Sequence, residues 1–330
     1  MTTVTDAPPS EIQHDLEELR DALEGKLPPR TLDQNLLIGT WNIRSFSGLT
    51  EKWVSDENDE PRRDLHSIRV IAEIIRRFDV VALQEVRGDL KALRHTLKVL
   101  GSDWGLMLTD VTRGDPGNSE RLGFLFDRRK VQPSGLAAEL VVPDEEFDAN
   151  EPIESDALER QFARTPYAVS FRCGSQTFIL VTLHVLYGES PARRTPELKA
   201  IATWLDRWAR EMNEWDGNHN LIALGDFNID RRGDERYEAF TSTGLDVPES
   251  LHQVPRTISS DPENPDKGHF YDQIAWFTKE NDRPALSLPY RRGGHFDFTD
   301  VALPRRDLSK GSLSWHISDH YPLWVEFGLQ

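Results

Sequence analysis

The amino-acid sequence predicts an α/β protein in which two β-sheets pack face to face as a sandwich and helices flank them. Three observations carry this. Short apolar, β-branched runs recur from Leu36 to the C-terminus, helical patterns lie between some of them, and several runs, DVVALQE among them, lack the alternation of a strand with one wet face. Strands apolar on both sides need cover on both sides, which paired sheets with outer helices supply.

In chain order, residues 10–27 read as a helix. Ser10 and Gln13 form a candidate capping box, Ile12, Leu16, Leu19 and Leu23 share one face, and Pro28 and Pro29 end it. That face suits packing on the domain or a short coiled-coil contact with a partner protein. Residues 1–34 are therefore set apart as an N-terminal extension, and residues 35–330 are expected to form one domain. Strands are expected at Leu36–Trp41, Val80–Leu83, Leu122–Phe126, Tyr167–Phe171, Phe178–Leu183, Leu221–Leu224, Ile274–Phe277 and Leu323–Phe327. Helices are expected from Asp64, with Ile68, Ile71, Ala72 and Ile75 inward, and from Thr195-Pro196, with Leu198, Ile201, Leu205 and Trp208 inward. Polar or Pro/Gly-rich segments at 47–63, 143–159 and 254–268 read as loops.

Composition narrows the class. The 330 residues are 38% hydrophobic and 29% charged, which fits a water-exposed globular chain, and nothing approaches the roughly 18 consecutive apolar residues of a membrane span. Met1 to Ser10 lack the basic and apolar regions of a targeting signal, so the mature protein is expected to start here. One cysteine, Cys173, excludes an internal disulfide, sits in an apparent strand and fits a cytoplasmic setting. The net charge of −17 opposes the broad attraction on which dedicated nucleic-acid-binding modules depend, while leaving room for an enzyme that meets phosphates with a few arginines and a metal.

The chemistry lies at strand ends. Asn42 follows LLIGTW, Glu85 follows VVALQ, His184 follows FILVTL, Asp226 and Asn228 follow LIALG, and Asp319-His320 precede the last strand. Strand ends in a packed sheet converge on one rim, so these side chains are expected to meet. Glu85, Asp319 and the amide oxygen of Asn42 make a hard oxygen set suited to Mg²⁺ or Mn²⁺. No thiol ligand and no close histidine pair favours zinc.

TWNIR, LQEVR, LVTLHVLYG, LGDFNID, YDQIAWF and SDHYPL, in this order, resemble the endonuclease/exonuclease/phosphatase superfamily, most closely its deoxyribonuclease I type, from about Leu36 to the C-terminus. The resemblance implies a four-layer sandwich and a phosphodiester hydrolase, with an endonuclease acting on DNA as the leading reading. It places Asn42, Glu85 and Asp319 at the metal. His320 is paired with Asp272 and His184 with Glu120, each carboxylate fixing its imidazole so that one histidine accepts a proton from water and the other donates one to the leaving oxygen. Asp226 and Asn228 fall to the scissile phosphate or attacking water, Arg164 to a phosphate oxygen, and Arg44 and Arg87 to the substrate backbone.

The sequence also departs from that type. The segment from Asn118 to Arg121 is two residues shorter than the deoxyribonuclease loop and lacks its groove-stacking tyrosine, the cysteines of the secreted enzymes are absent, and the N-terminal helix and the 47–63 segment are additions. Histidine at 184 separates the chain from abasic-site endonucleases but is shared by inositol-phosphate phosphatases and sphingomyelinases, so a small or lipid phosphoester is the alternative substrate. A non-enzymatic binding protein fits poorly, because every catalytic position is filled.

Overall fold

The computed structural model describes residues 2–112, 119–140, 164–185, 187, 191–211, 220–261, 264, 268–278 and 286–329. Strands β1 (Asn35–Phe46), β2 (Val80–Val86), β3 (Trp104–Leu108), β4 (Arg121–Asp127), β11 (Tyr290–His295) and β12 (Leu323–Gly328) form one sheet in the order β11-β12-β1-β2-β4-β3. The second sheet, in the order β5-β6-β7-β8-β10-β9, is built from β5 (Gln132–Glu139), β6 (Tyr167–Cys173), β7 (Gln176–His184), β8 (Leu221–Asp226), β9 (Leu245–Asp246) and β10 (Asp272–Phe277). The expected two-sheet sandwich is therefore observed.

The missing alternation has a visible cause. Leu36 and Ile38 of β1, Val80 and Ala82 of β2, and Phe124 and Phe126 of β4 face the core between the sheets. The residues that alternate with them, Leu37, Val81, Leu83 and Leu125, join a second core beneath α1 (Ser10–Lys26), α2 (Leu65–Ile75) and α3 (Lys91–Leu100). Leu198, Ile201 and Leu205 of α4 (Pro191–Glu211) and Phe240 of α5 (Glu235–Thr241) cover the second sheet. Burying one such Leu or Ile is worth about 1.5–3 kcal/mol, and here both strand faces collect that contribution.

Some boundaries differ from expectation. The Ser10/Gln13 capping box does not form: Pro9, held in an extended conformation, precedes the helix, and the Gln13 amide reaches back to the Pro8 carbonyl at 2.6 Å. The face of α1 weighed for a coiled coil is covered by its own chain, with Leu19 and Leu23 fully buried. Helix α4 begins at Pro191 rather than Thr195, leaving Pro196 inside it; a proline is well tolerated in the first turn, where Pro191 sits. Strands β3, β5, β9 and β11 and helices α3, α5 and α6 (Lys310–His316) carry weak signals: β11 reads YRRGGH, and β5 is a mostly exposed edge strand. The expected loop at 143–159 and Asn118 lie outside the described residues. Cys173 is buried, and its thiol is pushed up to about 11 by that burial, as suits a core residue.

Strand direction gathers the functional side chains. β1 runs parallel to β2, and β7 parallel to β8, so Asn42, Glu85, His184 and Asp226 leave the same ends of their sheets. β4, β10 and β12 run antiparallel to these neighbours, so residues at or before their amino ends, Glu120, Asp272, Asp319 and His320, come to the same rim. Just below it, the buried Gln84 amide donates to Thr40 Oγ1 at 3.1 Å and to Thr182 Oγ1 at 2.9 Å, tying one sheet to the other under the site. Among the described residues no helix is long and apolar enough to cross a membrane.

Candidate active site

The rim opens into a cavity of about 560 Å³ whose walls include Asn42, Glu85, Glu120, Arg164, His184, Asp226, Asn228, Asp319 and His320. Asp272 lies fully buried behind His320. The residues singled out at strand ends thus share one cleft, formed where the two sheets meet.

Local backbone distortions aim these groups. β1 and β2 both bulge here: the register shifts between Asn42 and Phe46, Glu85 sits at φ +59° and Ser45 at φ +44°. A left-handed conformation costs a non-glycine residue about 1–2 kcal/mol, and at Glu85 it turns the carboxylate toward the Ser45 N–H, which donates to Oε2 at 2.8 Å. Asn228, at φ +49°, donates its backbone N–H to Asp226 Oδ1 at 2.9 Å and its amide to the Val185 carbonyl at 2.6 Å. Gly225, at φ +139°, lies so close to β7 that a Cβ there would come within 2.1 Å of the Leu183 carbonyl oxygen. Only glycine lets β8 deliver Asp226 beside His184.

The two histidine–carboxylate pairs are present. His320 Nδ1 and Asp272 Oδ2 are 2.7 Å apart, and the His320 backbone is held by Ser318 Oγ, which accepts its N–H at 3.0 Å, and by Trp41 Nε1, which donates to its carbonyl at 2.9 Å. Burial opposes a charge on His320, but Asp272, with Asp226 and Asp319, outweighs it and holds the imidazole well above its ordinary pKa. Asp272 itself is pushed up to about 6 by burial, an effect only partly offset by His320. Both shifts describe one shared proton, and the imidazole, facing three carboxylates, is its better-supported holder. His184 Nδ1 lies 3.0 Å from Glu120 Oε2, and its Nε2 lies 3.6 Å from Asp226 Oδ2. Burial would raise the Glu120 carboxyl, yet His184, Arg164 and Arg87 together keep it below the usual range.

Three predicted arginines land differently. Arg164 is buried in the cavity wall with Nε 2.6 Å from Glu120 Oε2 and Nη1 donating to the His184 carbonyl at 3.4 Å, so it braces that pair as well as facing the cleft. Arg87 lies 3.4 Å from Glu120 Oε1 and 3.9 Å from Glu85 Oε2, and Arg44 lies 3.6 Å from Asp319 Oδ2; neither lines the cavity. Each stands behind carboxylates of the cleft wall instead of in the wall itself.

The residues present fit a hard divalent cation. Asn42 donates Nδ2 to Asp226 Oδ2 at 3.0 Å, which leaves Asn42 Oδ1 buried and without a hydrogen-bond donor beside Glu85 and Asp319 in the cavity wall. Unpaired buried oxygens are rare in folded chains, and a cation would satisfy this one. Asp226, Asp272 and His320 also bring one ligand atom each within 4.8 Å of the others. In that group Asp272 is closed off from the cavity and already shares a proton with His320, so the Asn42, Glu85 and Asp319 oxygens suit a metal better.

Sequence reading missed part of the wall: Tyr187, Thr257, Ser259, His269 and Tyr271. Tyr271 stacks between His269, at 4.3 Å, and His320, at 5.9 Å. It precedes Asp272 in YDQI and was therefore within reach of motif reading. Thr257 and Ser259 lie in a segment read as a solvated loop. That segment is pinned by fully buried Arg256, which donates to the carbonyls of Asp272, Val254 and Leu251.

The Endonuclease/Exonuclease/phosphatase family pattern matches residues 39–320. A protein of Thioalkalivibrio sp. (strain K90mix) named deoxyribonuclease is 28% identical over 310 residues, covering 91% of this chain and 73% of that protein. A solved endonuclease/exonuclease/phosphatase family protein from Bacteroides thetaiotaomicron superimposes with a TM-score of 0.57 at 19% identity, covering 90% of this chain and 99% of its own. A mannosyl-6-phosphatase from the same organism gives 0.57 at 18%, covering 88% and 99%. With the cavity, the paired histidines and the strand-end carboxylates on one rim, the chain belongs to the endonuclease/exonuclease/phosphatase family of hydrolases that act on phosphoester bonds.

Proposed function

We propose that the chain is a Mg²⁺- or Mn²⁺-dependent endonuclease that cleaves DNA by in-line attack of water on a phosphodiester. One observation carries the reading: two imidazoles, each backed by a buried carboxylate, face a single cleft that also presents an unpartnered amide oxygen. Proton transfer at both the attacking and the leaving oxygen needs two such groups held in place.

In this mechanism Arg164 meets a non-bridging phosphate oxygen, and Asp226 and Asn228 orient the water. Above its raised pKa, where Asp272 still fixes the ring through Nδ1, the neutral His320 imidazole takes the water's proton as the water's oxygen bonds to phosphorus. His184, steadied by Glu120, gives a proton to the departing ester oxygen, so no covalent enzyme intermediate forms. A divalent cation held by Asn42, Glu85 and Asp319 would neutralise the charge that grows on the phosphate oxygens. Tyr271 limits the swing of the His320 ring by stacking on it. DNA is preferred as substrate because the relative with the matching chain-wide sequence is named a deoxyribonuclease.

Purified protein with Mg²⁺ or Mn²⁺ is tested against plasmid, single-stranded DNA, RNA, bis-p-nitrophenyl phosphate and inositol phosphates. Nicked plasmid, lost with EDTA and with His184→Ala or His320→Ala, is expected. Turnover of monoesters alone would replace the nuclease with a phosphatase, and plasmid nicking that survives EDTA and both substitutions would remove the site altogether.

A further inference from the structure

A second, larger depression lies beside the catalytic cleft. It has a volume of about 1730 Å³ and runs between the 47–63 segment and the Arg305–Trp315 segment. The two depressions meet at residues 44 and 45. Arg44 and Ser45 line the groove, while their partners, Asp319 at 3.6 Å and Glu85 at 2.8 Å, line the cleft. A chain threaded through the cleft has this groove as its continuation.

Its floor is unusual for this protein. Among the described residues four large hydrophobic side chains are exposed, and two of them, Val54 and Trp315, line the groove. Trp315 is 48% exposed, and the Arg44 guanidinium lies 3.8 Å from its ring centroid while Nη1 donates to Ser314 Oγ at 2.6 Å. The cation thus fixes the indole from one side and leaves the remainder to solvent. An indole held this way is a stacking platform, and a flat π-face is its natural partner.

Charge does not supply the attraction. Five arginines and four carboxylates line the groove, and Arg305 and Arg306 are already engaged by Asp15, Glu18 and Asp64. The occupant is therefore held by stacking more than by phosphate pairing. That requirement excludes an intact duplex, whose bases present no free face, and selects a single strand.

We propose that this groove binds an unpaired stretch of the polynucleotide flanking the scissile phosphate, with one base stacked on Trp315. The proposal rests on the hydrolase reading of the adjacent cleft and adds to it a preference for single-stranded or frayed substrate. Trp315 acts here as a substrate-binding residue remote from the reacting atoms.

The test compares full-length wild type, Trp315→Ala and Trp315→Phe on a single-stranded 12-mer and on bis-p-nitrophenyl phosphate, which is too small to reach the groove. A fluorescein-labelled 12-mer in EDTA gives binding without catalysis, by anisotropy. Trp315→Ala is expected to raise KM and Kd for the 12-mer about tenfold, within the roughly 5- to 150-fold expected for one lost stacked base, and phenylalanine to restore most of it. The ratio of kcat/KM on the 12-mer to that on the small diester then falls by the same factor. An unchanged ratio and Kd, or an equal loss on both substrates, would overturn the proposal. If wild type hydrolyses neither substrate yet its 12-mer Kd depends on Trp315, the groove stands and the hydrolase reading falls.

Discussion

The two ends of the same strands handle buried carboxylates in opposite ways. At the amino ends of β1 and β2, Asp79 and Asp127 are fully buried, and their counter-charges come from within the chain. Arg30 pairs with both, Lys130 with Asp79 at 2.7 Å and Arg129 with Asp127 at 2.5 Å. Nearby, Glu326 accepts from Arg292 at 2.7 Å and from Asn35 at 2.9 Å. The basic side chains overcome burial and hold Asp127 and Glu326 below the usual carboxylate range. At the other end, Glu85, Glu120, Asp226 and Asp319 face one cleft with Arg164 and two histidines. One rim is closed by cations in direct contact with its carboxylates; at the other, Arg44 and Arg87 stand back at 3.4–3.9 Å from Asp319, Glu120 and Glu85, outside the cavity wall, and the cleft is open. An acidic residue at a strand end is thus no sign of function by itself; a carboxylate that faces an open cleft is.

This contrast can be broken at several points. The largest effect is expected for His320→Ala, which should cut kcat on a phosphodiester by roughly 10²–10⁴ while leaving the circular dichroism spectrum intact. Full activity in a folded variant would remove His320 from the proton transfer. On the closed rim, Asp79→Asn leaves Arg30 and Lys130 facing a neutral group and should cost about 3–5 kcal/mol in denaturant unfolding, without lowering kcat of the folded enzyme. A stability change under 1 kcal/mol there would mean that this network is as solvated as a surface pair.

A smaller effect distinguishes the rims by ligand. Millimolar Mg²⁺ should raise the melting temperature of wild type, as binding at a concentration 100 times Kd adds about 2.7 kcal/mol. Glu85→Gln should abolish that gain and Asp79→Asn should keep it; the same gain in both would place the cation elsewhere. The smallest effect is a pH dependence outside both rims. Burial pushes His66 and His316 down to about 4, so the folded state resists their protonation. Their contribution is complete above the unfolded-state pKa near 6.5 and is lost as pH falls from there through about 4, on the order of 1–3 kcal/mol each. Replacing both with glutamine should make the stability profile shallower over that window, the remainder belonging to His295, which burial also pushes down to about 4.

The open rim was more legible in the sequence than the closed one. Asn42, Glu85, His184, Asp226 and His320 follow or precede unmistakable apolar runs, and strand direction then forces them together. Asp79 and Asp127 flank equally clear strands, but Arg30, which pairs with both, is 49 and 97 positions away from them, a separation that periodicity does not report. The same limit explains Arg44 and Arg87. Both sit in motifs that point to the substrate, and both are drawn toward carboxylates that the fold alone brings near. On the cavity's aromatic side Tyr187 and Tyr271 stand inside the motifs LVTLHVLYG and YDQIAWF, whereas His269 has no apolar pattern around it to mark it and Trp315 lies on a seven-residue helix too short to announce itself.

The central claim is that the open rim, with its carboxylates facing the cleft, is a metal-dependent hydrolytic site, and it is met most directly by one assay on three proteins. Hydrolysis of bis-p-nitrophenyl phosphate in Mg²⁺ or Mn²⁺ is measured for wild type, Glu85→Gln and Asp79→Asn, each below its own melting temperature and each with an EDTA control. Activity in wild type and Asp79→Asn that EDTA abolishes, with at least a hundredfold loss in a fully folded Glu85→Gln, is the predicted result. Equal activity in Glu85→Gln and wild type, or turnover that persists in EDTA, would contradict it.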